Sequence, residues 1–135
     1  TQVVPKCLTL GMGCRKDKDA RGIAEAAQKV LDRARFYKEA FEQIASIDLK
    51  KEEKGILSLS QDWQIPFVTY TEEELKQVPG EFTPSPFVKK ITGVDNVCER
   101  SAVLASGNGR LRQRKTGENG VTTAVAAREW RIHFE

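Results

Sequence analysis

LTLGMGCRKDKDA, Leu8 to Ala20, runs an apolar segment into two close glycines, a cysteine and a burst of charge. Lys6 to Leu10 alternates weakly and ends in glycine, which predicts a short buried strand. From Asp19 the spacing changes: Ile23, Ala26, Ala27, Val30, Leu31 and Ala34 fall on one helical face of an alanine-rich segment. Strand, glycine turn and helix in succession suit an α/β fold. In open α/β sheets, ligands bind at the carboxyl end of such a strand.

The rest of the chain continues this alternation. Tyr37, Phe41 and Ile44 are spaced for a second short helix, and IASIDLK (44–50) reads as a strand running out into polar residues. KEEKGILSLSQDW (51–63) reads as a helix with Ile56, Leu59 and Trp63 on one side. IPFVTY (65–70) reads as a strand, and TEEEL (71–75) opens a helix through a capping box of Thr71 and Glu74. Ser85–Pro86 signals another helix start, ended by Gly93. Asn96 and Glu99 form a second capping pair, ahead of VCERSAVLAS (97–106). RLRQRKT (110–116) and VTTAVAAREWRIHF (121–134) flank GENG as a hairpin. The expected architecture is a layered α/β/α sandwich with a mixed β-sheet and a C-terminal β-hairpin, one domain over residues 1–135.

Of the 135 residues 39% are hydrophobic and 30% charged, the balance of an ordinary soluble globular domain able to bury a core. A net charge of +3 gives nucleic-acid binding no support and suits a small anionic ligand. No apolar run approaches a membrane span, and no basic-then-apolar leader marks export, so the expected compartment is the cytoplasm, with no membrane partner. Cys7, Cys14 and Cys98 lack metal-finger spacing, and the lone histidine, His133, does not complete a zinc site; free thiols in a reducing compartment are the simplest reading.

Gly11 and Gly13 match the first two glycines of a dinucleotide loop, but the third is missing and no Walker-type ending follows. A generic nucleotide module is therefore disfavoured. The competing reading of this loop by itself is a tight turn with solvated lysines.

Five phrases in order and spacing change that weighting: LGMGCRK, IASIDLKKEEKGIL, PFVTYTEEEL, PSPFVKKITGVDNVCERSAVLAS and KTGENGVTTAVA. Together they resemble the CbiG carboxyl-terminal domain/CobE family of cobalamin biosynthesis over nearly the whole chain. The resemblance implies a polycarboxylate tetrapyrrole ligand such as a cobalt-precorrin. The CbiG side of the family implies cobalt-precorrin-5A hydrolase chemistry, opening the ring-A lactone with release of acetaldehyde. The CobE side implies a noncatalytic protein that binds or carries the intermediate. Partners would be an N-terminal CbiG domain or other corrin-pathway enzymes. No cofactor is implied, because the cobalt travels with the substrate.

The residue chemistry fits such a ligand. Gly11, Gly13 and Cys14 would offer amides at a helix start, with Gly13 and Cys14 as oxyanion donors. Arg15 matches the family's GCR position and with Lys16 would hold a carboxylate, whereas Asp17 and Lys18 depart from the family pattern. Asp48, at a strand exit, is a candidate general base on water; the bland alternative is a cap or turn aspartate. Ser46 and Lys50 flank it and would orient a ligand. Glu99 is the second candidate catalytic carboxylate, against its role in the capping pair. Lys115 and Thr122, with Thr123, lie on the hairpin; Lys115 would meet an anion, or simply guard an edge strand. Cys14, Cys98, Trp63, Trp130 and His133 are read as packing or surface residues.

Overall fold

A computed structural model describes residues 7–14, 18–34, 36–80, 82, 96–118 and 120–128. In chain order the elements are β1 (Leu8–Cys14), α1 (Ala20–Ala34), β2 (Phe41–Ile47), α2 (Lys54–Trp63), β3 (Phe67–Tyr70), α3 (Glu72–Lys76), α4 (Val97–Ala105), β4 (Arg110–Glu118) and β5 (Val121–Ala127). Single 3₁₀ turns precede and follow β2, at Lys38–Ala40 and Asp48–Lys50.

The sheet order is β3-β2-β1-β5-β4. β1 pairs in parallel with β2, and β2 with β3; β5 runs antiparallel to both β1 and β4. The expected mixed sheet and terminal hairpin are present. The central strands are buried on both faces, the condition that makes their sequences apolar without clean alternation. Leu8, Leu10 and Met12 of β1 pack with Phe41, Ile44, Val121 and Val125 against the predicted faces of α1 and α2: Ile23, Ala26, Ala27, Val30 and Leu31, then Ile56 and Leu59. The opposite face is covered by α4, whose Ala102 and Val103 pack with Ala126 of β5.

Glycine at position 11 is what lets α4 lie this close. A Cβ there would collide with the Cys98 carbonyl oxygen, in the first turn of the helix. Ser101 adds a tether, its Oγ donating to the Ala45 carbonyl at 3.3 Å. α1 starts from an Asp19 cap, with Oδ2 accepting the Gly22 amide at 3.2 Å. The Thr71–Glu74 capping box is formed in both directions. Among the described residues no helix is long and apolar enough to cross a membrane.

Two expectations are corrected. Tyr37, Phe41 and Ile44 do not form a helix: the segment is one 3₁₀ turn and then strand β2. Phe41 and Ile44 are buried while Tyr37 is exposed, because the strand buries both its faces and helical spacing in so short a window is accidental. Nor does β1 end at Gly11. It continues to Cys14, because β5 offers an antiparallel partner all the way to Val121. The helix expected from Ser85, together with Arg15, Lys16, Trp130 and His133, lies outside the described residues.

Candidate functional site at the carboxyl edge of the parallel strands

β1, β2 and β3 all end at one edge of the sheet, and the helices begin there. α1, α2 and α3 each follow the strand that precedes them in the chain. α4 starts there too: Val97 packs with Ile47 and Leu75, and Cys98 lies over Gly11. Because α1 and α4 cover opposite faces, their first turns flank the end of β1, the geometry that forms a crevice in open α/β sheets. The helix N-termini give this rim a positive bias.

Gly13 and Cys14 do not open a helix as expected. They are the last residues of β1, opposite Thr122 and Val121, and α1 starts only at Ala20. The Thr122 hydroxyl donates to the Gly13 carbonyl at 3.3 Å. Alternation along β1 sends these last positions to opposite faces, and the candidate residues divide with them.

On the α1/α2 side, Cys14 is half-buried with Lys18, Lys50 and Glu53 around it. Burial pushes its thiol up to about 11; Lys50 opposes that rise, Glu53 adds to it and Lys18 opposes it. Lys50 Nζ lies 3.8 Å from Glu53 Oε1, and both side chains are largely buried, at 12% and 9% exposure. Lys18 Nζ lies 3.7 Å from Asp19 Oδ1. Gly55 brings α2 onto this corner, since a Cβ there would meet the Lys18 carbonyl oxygen at 3.0 Å and press into Ile23.

On the α4 side, Cys98 is fully buried and its Sγ donates to Asn96 Oδ1 at 3.3 Å. Burial pushes this thiol up to about 12, the Thr122 hydroxyl opposes, Glu99 adds and Lys115 opposes. Asn96 caps α4 by accepting the Glu99 amide at 3.0 Å, as expected of the pair. The Glu99 side chain, however, turns to the hairpin and accepts the Lys115 amide at 2.6 Å. β4 carries an extra residue between Gln113 and Thr116 relative to β5; a bulge of this kind frees an amide from the ladder.

Asp48 opens the 3₁₀ turn after β2, partly exposed. That turn has no side-chain cap, and among the described residues the Asp48 carboxylate makes no hydrogen bond or ion pair with another side chain. Ser46 is fully buried, its Oγ donating to the Met12 carbonyl at 2.7 Å, so it braces β2 to β1 instead of facing the crevice. Lys18 and Glu53 were not singled out in the sequence. Both sit in charge-rich runs, and only the fold brings them to Cys14.

A family model described as cobalamin synthesis G C-terminus matches residues 8–126. The chain belongs to this family. Within it, the cobalt-precorrin-5A hydrolase of Priestia megaterium is 34% identical over 122 residues, 90% of this chain and 32% of the relative. The crystal structure of CobE, a protein of the cobalamin biosynthetic pathway, superimposes with a TM-score of 0.81 at 26% identity, covering 94% of both chains. That of a cobalamin biosynthesis protein G homologue from Sulfolobus solfataricus gives 0.73 at 30% identity, over 93% of this chain and 38% of the homologue. The chain spans about a third of the length of the hydrolases it matches. This member of the CbiG carboxyl-terminal family is a cobalamin-biosynthesis protein, and the five phrases quoted from its sequence carried the resemblance correctly.

Proposed function

We propose that this domain binds a polycarboxylate tetrapyrrole across the carboxyl edge of β1–β3 and that it serves a cobalt-precorrin-5A hydrolase in opening the ring-A lactone. The observation that carries the reading is Asp48: a partly exposed carboxylate at the end of a central strand, committed to no cap and to no ion pair among the described residues. A side chain in that state can take a proton from water as the water adds to the lactone carbonyl. The acyl–oxygen bond then breaks, leaving a carboxylate on the macrocycle and a hydroxyl on the carbon to be excised. That hydroxyl gives up its proton and becomes a carbonyl as the carbon–carbon bond to the ring breaks, the electron pair passes into the macrocycle, and the carbon departs with its methyl as acetaldehyde. Lys50 beside it supplies charge for a peripheral carboxylate, as do Arg15, at the family's GCR position, and Lys16 next to it in the chain. Glu99 acts through Lys115, whose backbone it holds, and so orients the hairpin edge, not the reacting atoms. The cobalt is part of the substrate.

A noncatalytic, CobE-like role in holding the intermediate is the second reading. It is supported by the superposition on CobE at a TM-score of 0.81. Single-turnover acetaldehyde release separates the two. In the hydrolase reading, Asp48→Asn in a protein that turns over loses roughly 10²- to 10⁴-fold in rate with affinity largely kept. A normal rate removes Asp48 as the base. A chain that binds the precorrin and never releases acetaldehyde, alone or joined to an N-terminal CbiG domain, supports the carrier role.

A further inference from the structure

The corner between α1 and α2 holds a charged cluster that the reading above does not use in full. Lys18 and Lys50 reach it from different elements, the lead into α1 and the 3₁₀ turn after β2. Gly55, two residues after Glu53, packs so near Lys18 that a Cβ there would meet the Lys18 carbonyl oxygen at 3.0 Å. This sets the start of α2, with the Lys50–Glu53 pair just ahead of it, beside Lys18; the pull of all three charges on the Cys14 thiol agrees with that placement.

Among the described residues, each ammonium is held by an ion pair and by no hydrogen bond. Lys50 Nζ is 3.8 Å from Glu53, and Lys18 Nζ is 3.7 Å from Asp19, both beyond hydrogen-bond length. Their donors therefore remain available to an acceptor from outside. Glu53 is unusual in its own right. It is the N-cap of α2, yet its side chain makes no cap bond. At 9% exposure it lies instead against Lys50, itself only 12% exposed. Burying both charges is costly unless they face each other, so this pair fixes an otherwise flexible lysine at the mouth of the crevice.

We infer that Lys18 and Lys50 form a two-ammonium clamp for one ligand carboxylate, and that Glu53 is the positioning residue that holds Lys50 in it. The inference rests on the reading of a polycarboxylate ligand and names the side chains that take one of its arms.

The test is binding to the whole chain of cobyrinic acid, a corrinoid with free carboxylate arms, and of cobinamide, whose arms are amides, followed by the corrin absorption. The wild type is expected to prefer the acid. Lys18→Met and Lys50→Met should each weaken it roughly tenfold, the worth of a charge-assisted contact. The double variant should lose less than the product, because both ammoniums serve one carboxylate. Glu53→Gln should weaken acid binding and Glu53→Asp restore part of it. A residue that is only a neighbouring negative charge would do the opposite, and tighter anion binding in Glu53→Gln overturns its positioning role. Lys18→Met carries the test alone if Lys50→Met, which strands a buried carboxylate, fails to fold. A wild type that prefers the acid while the lysine variants bind as it does overturns the clamp alone. A wild type that binds acid and amide alike, or neither, overturns the polycarboxylate reading and the clamp with it.

Discussion

The buried carboxylate of Glu99, in the first turn of α4, accepts the backbone N–H of Lys115 on β4 at 2.6 Å. The bond ties a helix to a bulged edge strand across sixteen residues of chain. A part-buried amide displaced from its ladder needs such an acceptor, and leaving it bare costs up to about 1–3 kcal/mol. Glu99→Ala is therefore expected to lose about 2–3 kcal/mol of stability, since it also opens a cavity. Glu99→Gln keeps an acceptor oxygen and should lose less. Urea midpoints rank the two, and the Lys115 amide should exchange with solvent far faster in Glu99→Ala than in the wild type.

Gly11→Ala should be among the most damaging single-methyl additions in this chain. The added carbon meets the Cys98 carbonyl oxygen, which is backbone and cannot rotate away. Overpacking of this kind costs about 3 kcal/mol or more where nothing yields. Gly117→Ala is the matched control, since a Cβ there has no atom within 4 Å. Thermal melts that leave Gly11→Ala and Gly117→Ala alike would contradict the close approach of α4 to β1.

Two thiols, Cys98 fully and Cys14 half buried, make stability fall in alkali. Cys98 rises from its ordinary 9.0 to about 12, chiefly by burial, and Cys14 to about 11 for the same first reason. The folded state thus holds these protons more tightly than the unfolded state does. Their contribution is complete below pH 9, declines as the pH climbs, and is gone above about 11 for Cys14 and about 12 for Cys98. Fully buried Cys98 contributes a slope of up to about 1.4 kcal/mol per pH unit within its window, and half-buried Cys14, screened by solvent, contributes less. Urea midpoints between pH 8 and pH 11 should drop, and Cys98→Ala should flatten the drop even though it starts lower. An equal slope in that variant would show that the thiol is not the group responsible.

Gln64 ends α2 in the left-handed region, at φ 55°, and is exposed. A side chain there carries a strain that glycine lacks, so Gln64→Gly is expected to stabilise the domain by a few tenths to about 1 kcal/mol. A lowered melting temperature would mean that the unfolded chain's gain in freedom outweighs the relief.

Much of this fold was legible along the chain. The face of α1 through Ile23, Ala26, Ala27, Val30 and Leu31, the Thr71–Glu74 box, the Asn96 cap and the hairpin around GENG are local patterns, set by residues within a turn or two of each other. The family resemblance was legible too, because it needs only order and spacing. What stayed hidden depends on partners distant in sequence. Phe41 and Ile44 fit a helix until β1 claims them as a strand. Gly11 and Gly13 looked like a turn until β5 extended the ladder through them and α4 lay down on Gly11. Ser46 looked like a ligand contact until the Met12 carbonyl took its hydroxyl. Lys18 and Glu53 did not stand out from their charge-rich runs until Gly55 let α2 close on α1 and set both beside Cys14. Periodicity and capping are short-range and survive in sequence; burial, ion pairing and close backbone approach arise only when distant segments meet, and those decide which charges this edge keeps and which it spends on the fold.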